Sequence, residues 1–352
     1  LPENEFSPAA SLMRAEALEA PAAVERLLAE NEAEVRSLAR FLRRRPPVMV
    51  QTIARGSSDH AALFGKYLFE VRLGWPTASA APSVVTVYGA RPNLRGALVI
   101  ALSQSGASAD LVESLRAARA AGALTVALVN VEDSPLAAAA EVVLPLHAGE
   151  EKSVAATKSY LTMLVALAQI VASTEEAGDL AAALPLLPER MAAAAGADWS
   201  AGLELFAPAT DAYVIGRGYA FAVANEAALK LKETSALHAE AFSAAELLHG
   251  PVAIVGPGYP ILALAPYDRP YPQVVELLAG LKQKGAELAV ASSEGEALAL
   301  ADAPLALPER FHPLLDSVLT IQAFYPFADA LARARGYDPD RPRNLQKVTR
   351  TR

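Results

Sequence analysis

The 352-residue chain is 53% hydrophobic and 20% charged, enough apolar material for two domains of ordinary size and too much for a disordered or fibrous protein. Its formal net charge is −8, and no basic run exceeds Arg43-Arg44-Arg45, which argues against a nucleic-acid surface. With no cysteine, disulfides, thiolate metal sites and a cysteine nucleophile are excluded.

The five histidines fall in no HxxxH or HExxH arrangement, so a metal site is not expected. No apolar run reaches the roughly 18 to 20 residues of a membrane span and no signal peptide opens the chain, so a cytoplasmic location without membrane association is the expectation.

Residues 7–45 read as two amphipathic helices broken at Pro21 and stopped by Pro46-Pro47. Residues 48–54 form an apolar run of strand length ending in Arg55-Gly56-Ser57-Ser58-Asp59, and a helical pattern follows through Glu70. A second strand over 97–102 ends in Ser103-Gln104-Ser105-Gly106 and leads into a helix over 109–121, with Gly122 as its C-cap candidate. Strands over 124–129 and 141–146 follow. Apolar strands alternating with amphipathic helices indicate an α/β fold with a parallel sheet covered on both faces.

A helical stretch is expected from Glu151 to about Ala177 and another over 180–195, with 196–208 as the connection between domains. The pattern then restarts with a strand over 212–215, the turn Gly216-Arg217-Gly218 and a helix to 236. Further strands are expected at 261–265, 288–291 and 305–307, with helices over 270–284 and 314–335. Arg55-Gly56 and Arg217-Gly218 each follow a strand and precede a helix, which reads as an internal duplication of one α/β unit. The boundaries predicted are helices over 1–45, a first domain over 46–195, a second over 196–335, and a polar tail over 336–352 that docks onto the body.

Two stretches carry chemistry. Ser103 to Ser108 lies where a parallel strand ends and a helix begins, the edge at which doubly wound folds bind ligands. A helix N-terminus offers unpaired N–H groups and partial positive charge. Ser103, Ser105, Ser108 and Gln104 add neutral donors, and Gly106 lets the backbone approach closely. Donors without an acid suit a phosphate monoester, and Ser57-Ser58 on the neighbouring strand could complete the cradle. The bland alternative is a helix cap at Ser108 and ordinary turn chemistry.

The second stretch is 225–251. Glu226, Lys230 and Glu233 share one helical stripe, which could be simple ion pairing on a solvated face or a proton shuttle whose carboxylate is set by partner and burial. His249, before Gly250-Pro251, suits a general acid/base, although a lone histidine there is more often a surface residue.

Together these pieces resemble the sugar-isomerase (SIS) family, in the tandem form that makes up the isomerase half of glucosamine-6-phosphate synthase. The similar stretches are Met13-x-x-Glu16-x-x-Glu19-x-Pro21, Gly56-Ser57-Ser58, SQSGAS at 103–108, EKSVAATK at 151–158, GRG at 216–218, EAALKLKE at 226–233, HAEAFSAAEL at 238–247, HGP at 249–251 and PRNLQK at 342–347. The resemblance implies two SIS domains, each a doubly wound parallel sheet flanked by helices. It implies that Ser58, Ser103, Gln104, Ser105 and Ser108 bind phosphate and that Val154 lines the sugar pocket. Glu233 would be the base moving a proton between C1 and C2 of an open-chain sugar phosphate, Lys230 its assistant, His249 the ring-opening group, and Lys347 a tail lysine closing over the sugar. It further implies a homodimer, with His249 acting across the interface, and no cofactor.

There are departures from the synthase. A chain that begins directly with helices and has no cysteine is expected to lack a glutaminase of its own. The loop reads Gly-Ala-Ser where the synthase has Gly-Glu-Thr, and Leu248 replaces a lysine before HGP. These details are similar to the free-standing SIS-type glucosamine-6-phosphate deaminases. The expectation is therefore an amino-sugar-phosphate deaminase/isomerase acting on glucosamine 6-phosphate. The alternatives are an aldose–ketose phosphosugar isomerase, a deglycase, or a sugar-phosphate-sensing module, the last disfavoured by the absence of a helix-turn-helix segment.

Overall fold

The computed structural model describes residues 11–175 and 178–347 and contains two parallel sheets of five strands each. The first consists of β1 (Val50–Ile53), β2 (Thr77–Ser79), β3 (Leu98–Ser103), β4 (Leu124–Val129) and β5 (Val142–Pro145), ordered β2-β1-β3-β4-β5. The second consists of β6 (Asp211–Gly216), β7 (His238–Ser243), β8 (Pro260–Leu264), β9 (Glu287–Ser292) and β10 (Ala303–Ala306), ordered β7-β6-β8-β9-β10. Counted within each sheet, both orders are the same 2-1-3-4-5 of a doubly wound fold. Every residue of β3 is buried, as expected of a central strand covered on both faces.

The duplication extends to backbone angles. Gly56 (φ 55°, ψ −133°) and Gly218 (φ 60°, ψ −128°) each open a 17-residue helix, Ser57–Leu73 and Tyr219–Ser235. That conformation has positive φ, so glycine is required at the turn from strand to helix. Each helix also ends in a left-handed residue, Gly74 in one and Ala236 in the other.

The chain gathers into two compact units. One is built around the first sheet and comprises Ala20–Glu151 and Lys158–Pro188 within the described residues. The other is built around the second sheet and takes Glu189–Lys347 together with residues 11–19 and Lys152–Thr157. No helix among the described residues is long and apolar enough to cross a membrane.

Several sequence expectations are corrected. The N-terminal helix, Leu12–Glu30, runs through Pro21 and breaks instead at Asn31. Proline cannot donate to the carbonyl four residues back, and that carbonyl, on Ala17, accepts from Gln322 Nε2 at 2.9 Å. A side chain from the helix Asp316–Ala334 thus replaces the missing backbone bond. Residues 151–157 are not helical. Glu151 stands outside the helix Lys158–Thr174 and its carboxylate accepts from the Ser159 N–H at 3.1 Å and hydroxyl at 2.7 Å, satisfying the helix start.

The stretch over 180–195 is split by Pro185 and Pro188 into helices Asp179–Ala183 and Leu187–Ala195, joined by a 3-10 turn. The connection over 196–208 contains its own helix, Ala201–Phe206. Both second strands escaped the reading because they lie at sheet edges. β2 has three residues, and β7 carries exposed His238 and Glu240 between apolar neighbours. The tail docks through Lys347. Residues 7–10 and 348–352 of the predicted first helix and tail, with 176 and 177, lie outside the described residues.

Replacing Gln322 by Leu leaves the Ala17 carbonyl buried without its donor and is expected to cost about 1–3 kcal/mol in denaturant unfolding. In a Pro21→Ala background the penalty should shrink, because residue 21 regains an N–H; an undiminished penalty would contradict the replacement bond.

Candidate functional site

In the first-sheet unit, β1 and β3 are parallel neighbours, in register from Val50↔Leu98 to Ile53↔Ala101. The loops at their carboxyl ends therefore open on the same edge. Ser57 and Ser58 begin the helix after β1, and residues 103–108 run from β3 into the helix Ala109–Ala120. The loop is held by its own hydroxyls: Ser103 Oγ accepts from the Gly106 N–H at 3.0 Å, and Ser105 Oγ from the Ala107 N–H at 3.3 Å. In both, the serine oxygen is the acceptor, which leaves the hydroxyl proton to donate. Ser108 is the N-cap residue but makes no side-chain cap bond, so its hydroxyl is not consumed as the turn reading supposed.

Gly106 is fixed at φ +62°, and a Cβ there would lie 2.1 Å from Ser134 Oγ. Its carbonyl accepts from the Leu136 N–H at 3.1 Å. The one acid in the following helical turn, Asp110, is turned away from an incoming anion. It accepts from Arg55 Nε at 3.1 Å and Nη2 at 2.9 Å, and from its neighbour's N–H. The edge thus presents hydroxyls, N–H groups and a helix N-terminus with its acid neutralised, a setting for an anionic oxygen group.

The matching edge of the second repeat has the opposite character. After β8 the chain reads Ala265-Pro266-Tyr267-Asp268, and a Cβ on Gly218 would lie 3.6 Å from Asp268 Oδ2. A carboxyl group therefore stands at the mouth of the helix Tyr219–Ser235. Burial, reinforced by Asp316, pushes Asp268 up to about 7. Burial also lifts Asp316 to about 6 against the pull of the His312 and Phe311 N–H groups. A phosphate at this mouth would meet Asp268, whereas the first repeat offers donors at the corresponding edge.

In the second-sheet unit, the stripe on helix Tyr219–Ser235 faces inward, against the helix Asp316–Ala334. This corrects the solvated-face alternative. Lys230 Nζ lies 3.0 Å from Glu226 Oε1 and 2.8 Å from Glu233 Oε2, with side chains 1%, 0% and 21% exposed in that order. The Tyr325 hydroxyl donates to Glu226 Oε1 at 3.4 Å. Burial works to lower the Lys230 pKa, but the carboxylates of Glu226 and Glu233 outweigh it and raise it above the ordinary lysine value. Lys230 is therefore a permanent cation, and Glu233 is the end of the array that reaches solvent.

Lys347 Nζ donates to the Ser153 carbonyl at 2.6 Å, which brings the tail lysine beside half-buried Val154. His249 ends the 3-10 turn Glu246–His249, before Gly250 at φ 138°. It is exposed and lines a groove of about 440 Å³ with Arg217, Gln273, Glu276 and Lys284, a lining that does not include Glu233. Sequence reasoning placed Glu226 on the stripe but missed the participation of Tyr325. The i, i+4 spacing to Lys230 was the available signal for Glu226, whereas Tyr325 gave none. Among the described residues no three His, Asp or Glu side chains converge as a metal-binding group.

Comparison with known proteins gives the following. The SIS domain model matches twice, over residues 48–173 and 205–334. The chain is 34% identical over 351 residues to a glutamine–fructose-6-phosphate aminotransferase (isomerizing) of Thermococcus kodakarensis, covering 95% of this chain and 57% of that one. A second such enzyme, from Methanothermobacter thermautotrophicus, is 37% identical, covering 84% of this chain and 50% of that one. The chain spans about half the length of these curated relatives. A solved structure from Silicibacter pomeroyi, described as a candidate phosphosugar isomerase, superposes with a TM-score of 0.87 at 43% identity, covering 94% of this chain and all of that one. The C-terminal domain of glucosamine-fructose-6-phosphate aminotransferase from Francisella tularensis superposes with a TM-score of 0.84 at 25% identity, over 95% of this chain and 99% of that domain.

Two measurements test the electrostatics. Lys230→Met removes the buried cation that lies between Glu226 and Glu233 and is expected to cost about 3–5 kcal/mol of stability, read by denaturant unfolding. Asp268 has a folded pKa above the ordinary carboxyl value, so its contribution to stability is present at low pH and lost as pH rises through about 7. Asp268→Asn should accordingly raise the melting temperature more at pH 8 than at pH 5; an equal shift at both would contradict the assignment.

Proposed function

The chain belongs to the SIS family and carries two SIS repeats, and from that premise we propose that it acts on a phosphosugar, converting glucosamine 6-phosphate and water to fructose 6-phosphate and ammonia. The observation that carries this reading is the array Glu226–Lys230–Glu233, in which a buried cation holds one carboxylate at the solvent-reaching end. A surface helix gains a few tenths of a kcal/mol from exposed pairs. Burying such an array is costly, and positioning a base is a use that accounts for it.

In this reading the phosphate docks on Ser57, Ser58 and the loop from Ser103 to Ser108, where hydroxyl donors and the helix N-terminus match its charge. His249 assists ring opening to the aldehyde. Glu233 then removes the C2 proton, leaving an enolamine with its double bond between C1 and C2, and returns a proton to C1. The product is a C2 imine. Water adds at C2, and ammonia departs as the C2 carbonyl forms. Lys230 and Lys347 supply positive charge for the oxyanion that develops at O1. The exposed position of His249 in its groove supports its delivery to a second copy of the chain in a homodimer.

The aldose–ketose isomerase and deglycase alternatives share the C1–C2 proton transfer and differ in what leaves. A sensing module has no use for a positioned base. The names of the aminotransferase relatives favour an amino sugar at C2, and the Gly-Ala-Ser loop and Leu248 favour release over capture of ammonia.

The test is to supply glucosamine 6-phosphate to the purified chain and measure ammonia and fructose 6-phosphate together. Equal yields support deamination. Turnover of an unaminated sugar phosphate without ammonia would remove it, and binding without turnover would favour the sensor. Glu233→Gln should lower turnover about 10²–10⁴-fold while leaving phosphate-ester affinity nearly unchanged; an active variant would sink the base assignment.

A further inference from the structure

The segment Lys152–Thr157 has no helical or strand structure, yet Ser153 is fully buried and Val154 half-buried beside it. Its backbone is held by charged side chains from the two ends of the sequence. Glu16, on the N-terminal helix and 5% exposed, accepts from the Lys152 N–H at 2.5 Å and from the Ser153 N–H at 3.2 Å. Across the same residue, the Ser153 carbonyl accepts from Lys347 Nζ at 2.6 Å. Both polar groups of the Ser153 main chain therefore go to ionised partners, the stronger class of hydrogen bond.

The two ends are also joined to each other. The Asp340 carboxylate accepts from the Leu12 N–H at 2.7 Å and the Met13 N–H at 2.8 Å. These are donors of the first helical turn, which have no partner within the helix, and a carboxylate there also meets the positive end of the helix dipole. Ser11 adds a cap, its oxygen accepting from the Arg14 N–H at 3.0 Å while its hydroxyl donates to Asp329. The contacts close a circuit: Asp340 to the helix start, along the helix to Glu16, from Glu16 to Ser153, from Ser153 to Lys347, and back along the tail to Asp340.

We propose that Glu16 and Asp340 are positioning residues, Glu16 setting the loop that carries Val154 and Asp340 setting the tail that carries Lys347. This rests on the reading above, in which Val154 and Lys347 meet the sugar. A lysine contact to a carbonyl at the end of a flexible side chain is a weak anchor, because ordering a lysine gives up the rotamer freedom of its long stem. Two charge-assisted bonds from Asp340, placed shortly before Lys347 in the chain, confine the ammonium to one neighbourhood and so raise its effective concentration there. Asp340 acts through Lys347, and Glu16 acts through the backbone of Lys152 and Ser153.

The test uses the full chain and the variants Asp340→Asn, Glu16→Gln and Lys347→Met. Without substrate, Asp340→Asn should speed tryptic cleavage after Arg343 and Lys347 about tenfold. Glu16→Gln should speed hydrogen exchange at the Lys152 and Ser153 amides by a similar factor, in line with loss of a local closing interaction. With glucosamine 6-phosphate, Asp340→Asn should lower kcat about tenfold with KM within about twofold, and should add less than about twofold in the Lys347→Met background. Unchanged cleavage and exchange, or an Asp340 effect that persists in full without Lys347, would overturn the proposal. If the unsubstituted chain turns over no phosphosugar, the functional reading fails while cleavage and exchange still decide whether the circuit holds loop and tail. Should Glu16→Gln not fold, Glu16→Asp, whose shorter side chain withdraws the carboxylate from the same amides, carries the exchange measurement for the loop, and Asp340→Asn decides the tail.

Discussion

A lysine ammonium placed beyond the reach of water must be matched by anions, and at Lys230 that requirement organises its surroundings. Two carboxylates from its own helix close on it, and the helix Asp316–Ala334 supplies a wall and the Tyr325 hydroxyl. Of the three, Glu233 is the one that meets solvent. Desolvation disfavours all three ions, yet each is held by the others, so removing any one leaves its partners more costly than before. The packing of that helix pair is thus inseparable from the charge state of the site.

The two repeats show how one backbone frame supports opposite electrostatics. Both use glycine at the same positive φ to turn from the first strand into a long helix, and both order their strands alike. At the loop after the third strand they part. One repeat offers Ser103, Ser105 and a paired Asp110, while the other sets Asp268 against the helix mouth, with Asp316 raising its charge cost. In the second repeat the buried charges lie further along the helix, at Glu226, Lys230 and Glu233.

Much of this was readable in the sequence, and the reasons for the remainder are specific. The apolar runs became β1, β3, β4, β6, β8 and β9 because central parallel strands are written as near-continuous hydrophobic stretches. β7 was not read as a strand because an edge strand alternates exposed His238 and Glu240 with small apolar residues. The serine loop was visible as composition, but the orientation of Asp110 toward Arg55 depends on a residue from another strand. The burial of the charged stripe could not be inferred, since i, i+4 spacing is the same for a solvated face and a sealed one. Asp340 and Glu16 looked like ordinary acids because their partners are backbone groups, which leave no mark in a sequence.

The bond from Gln322 to the Ala17 carbonyl has a consequence for how the chain is made. Proline at position 21 means that the first helix cannot satisfy that carbonyl from within itself. During synthesis the acceptor therefore waits on water until Gln322, 305 residues further along, has emerged and the helix Asp316–Ala334 can reach it. The unit around the second sheet draws on residues 11–19, Lys152–Thr157 and Glu189–Lys347, so its closing contacts are among the longest in sequence and the slowest kind to form. Closure of the second-sheet unit is in this sense timed by the helix Asp316–Ala334.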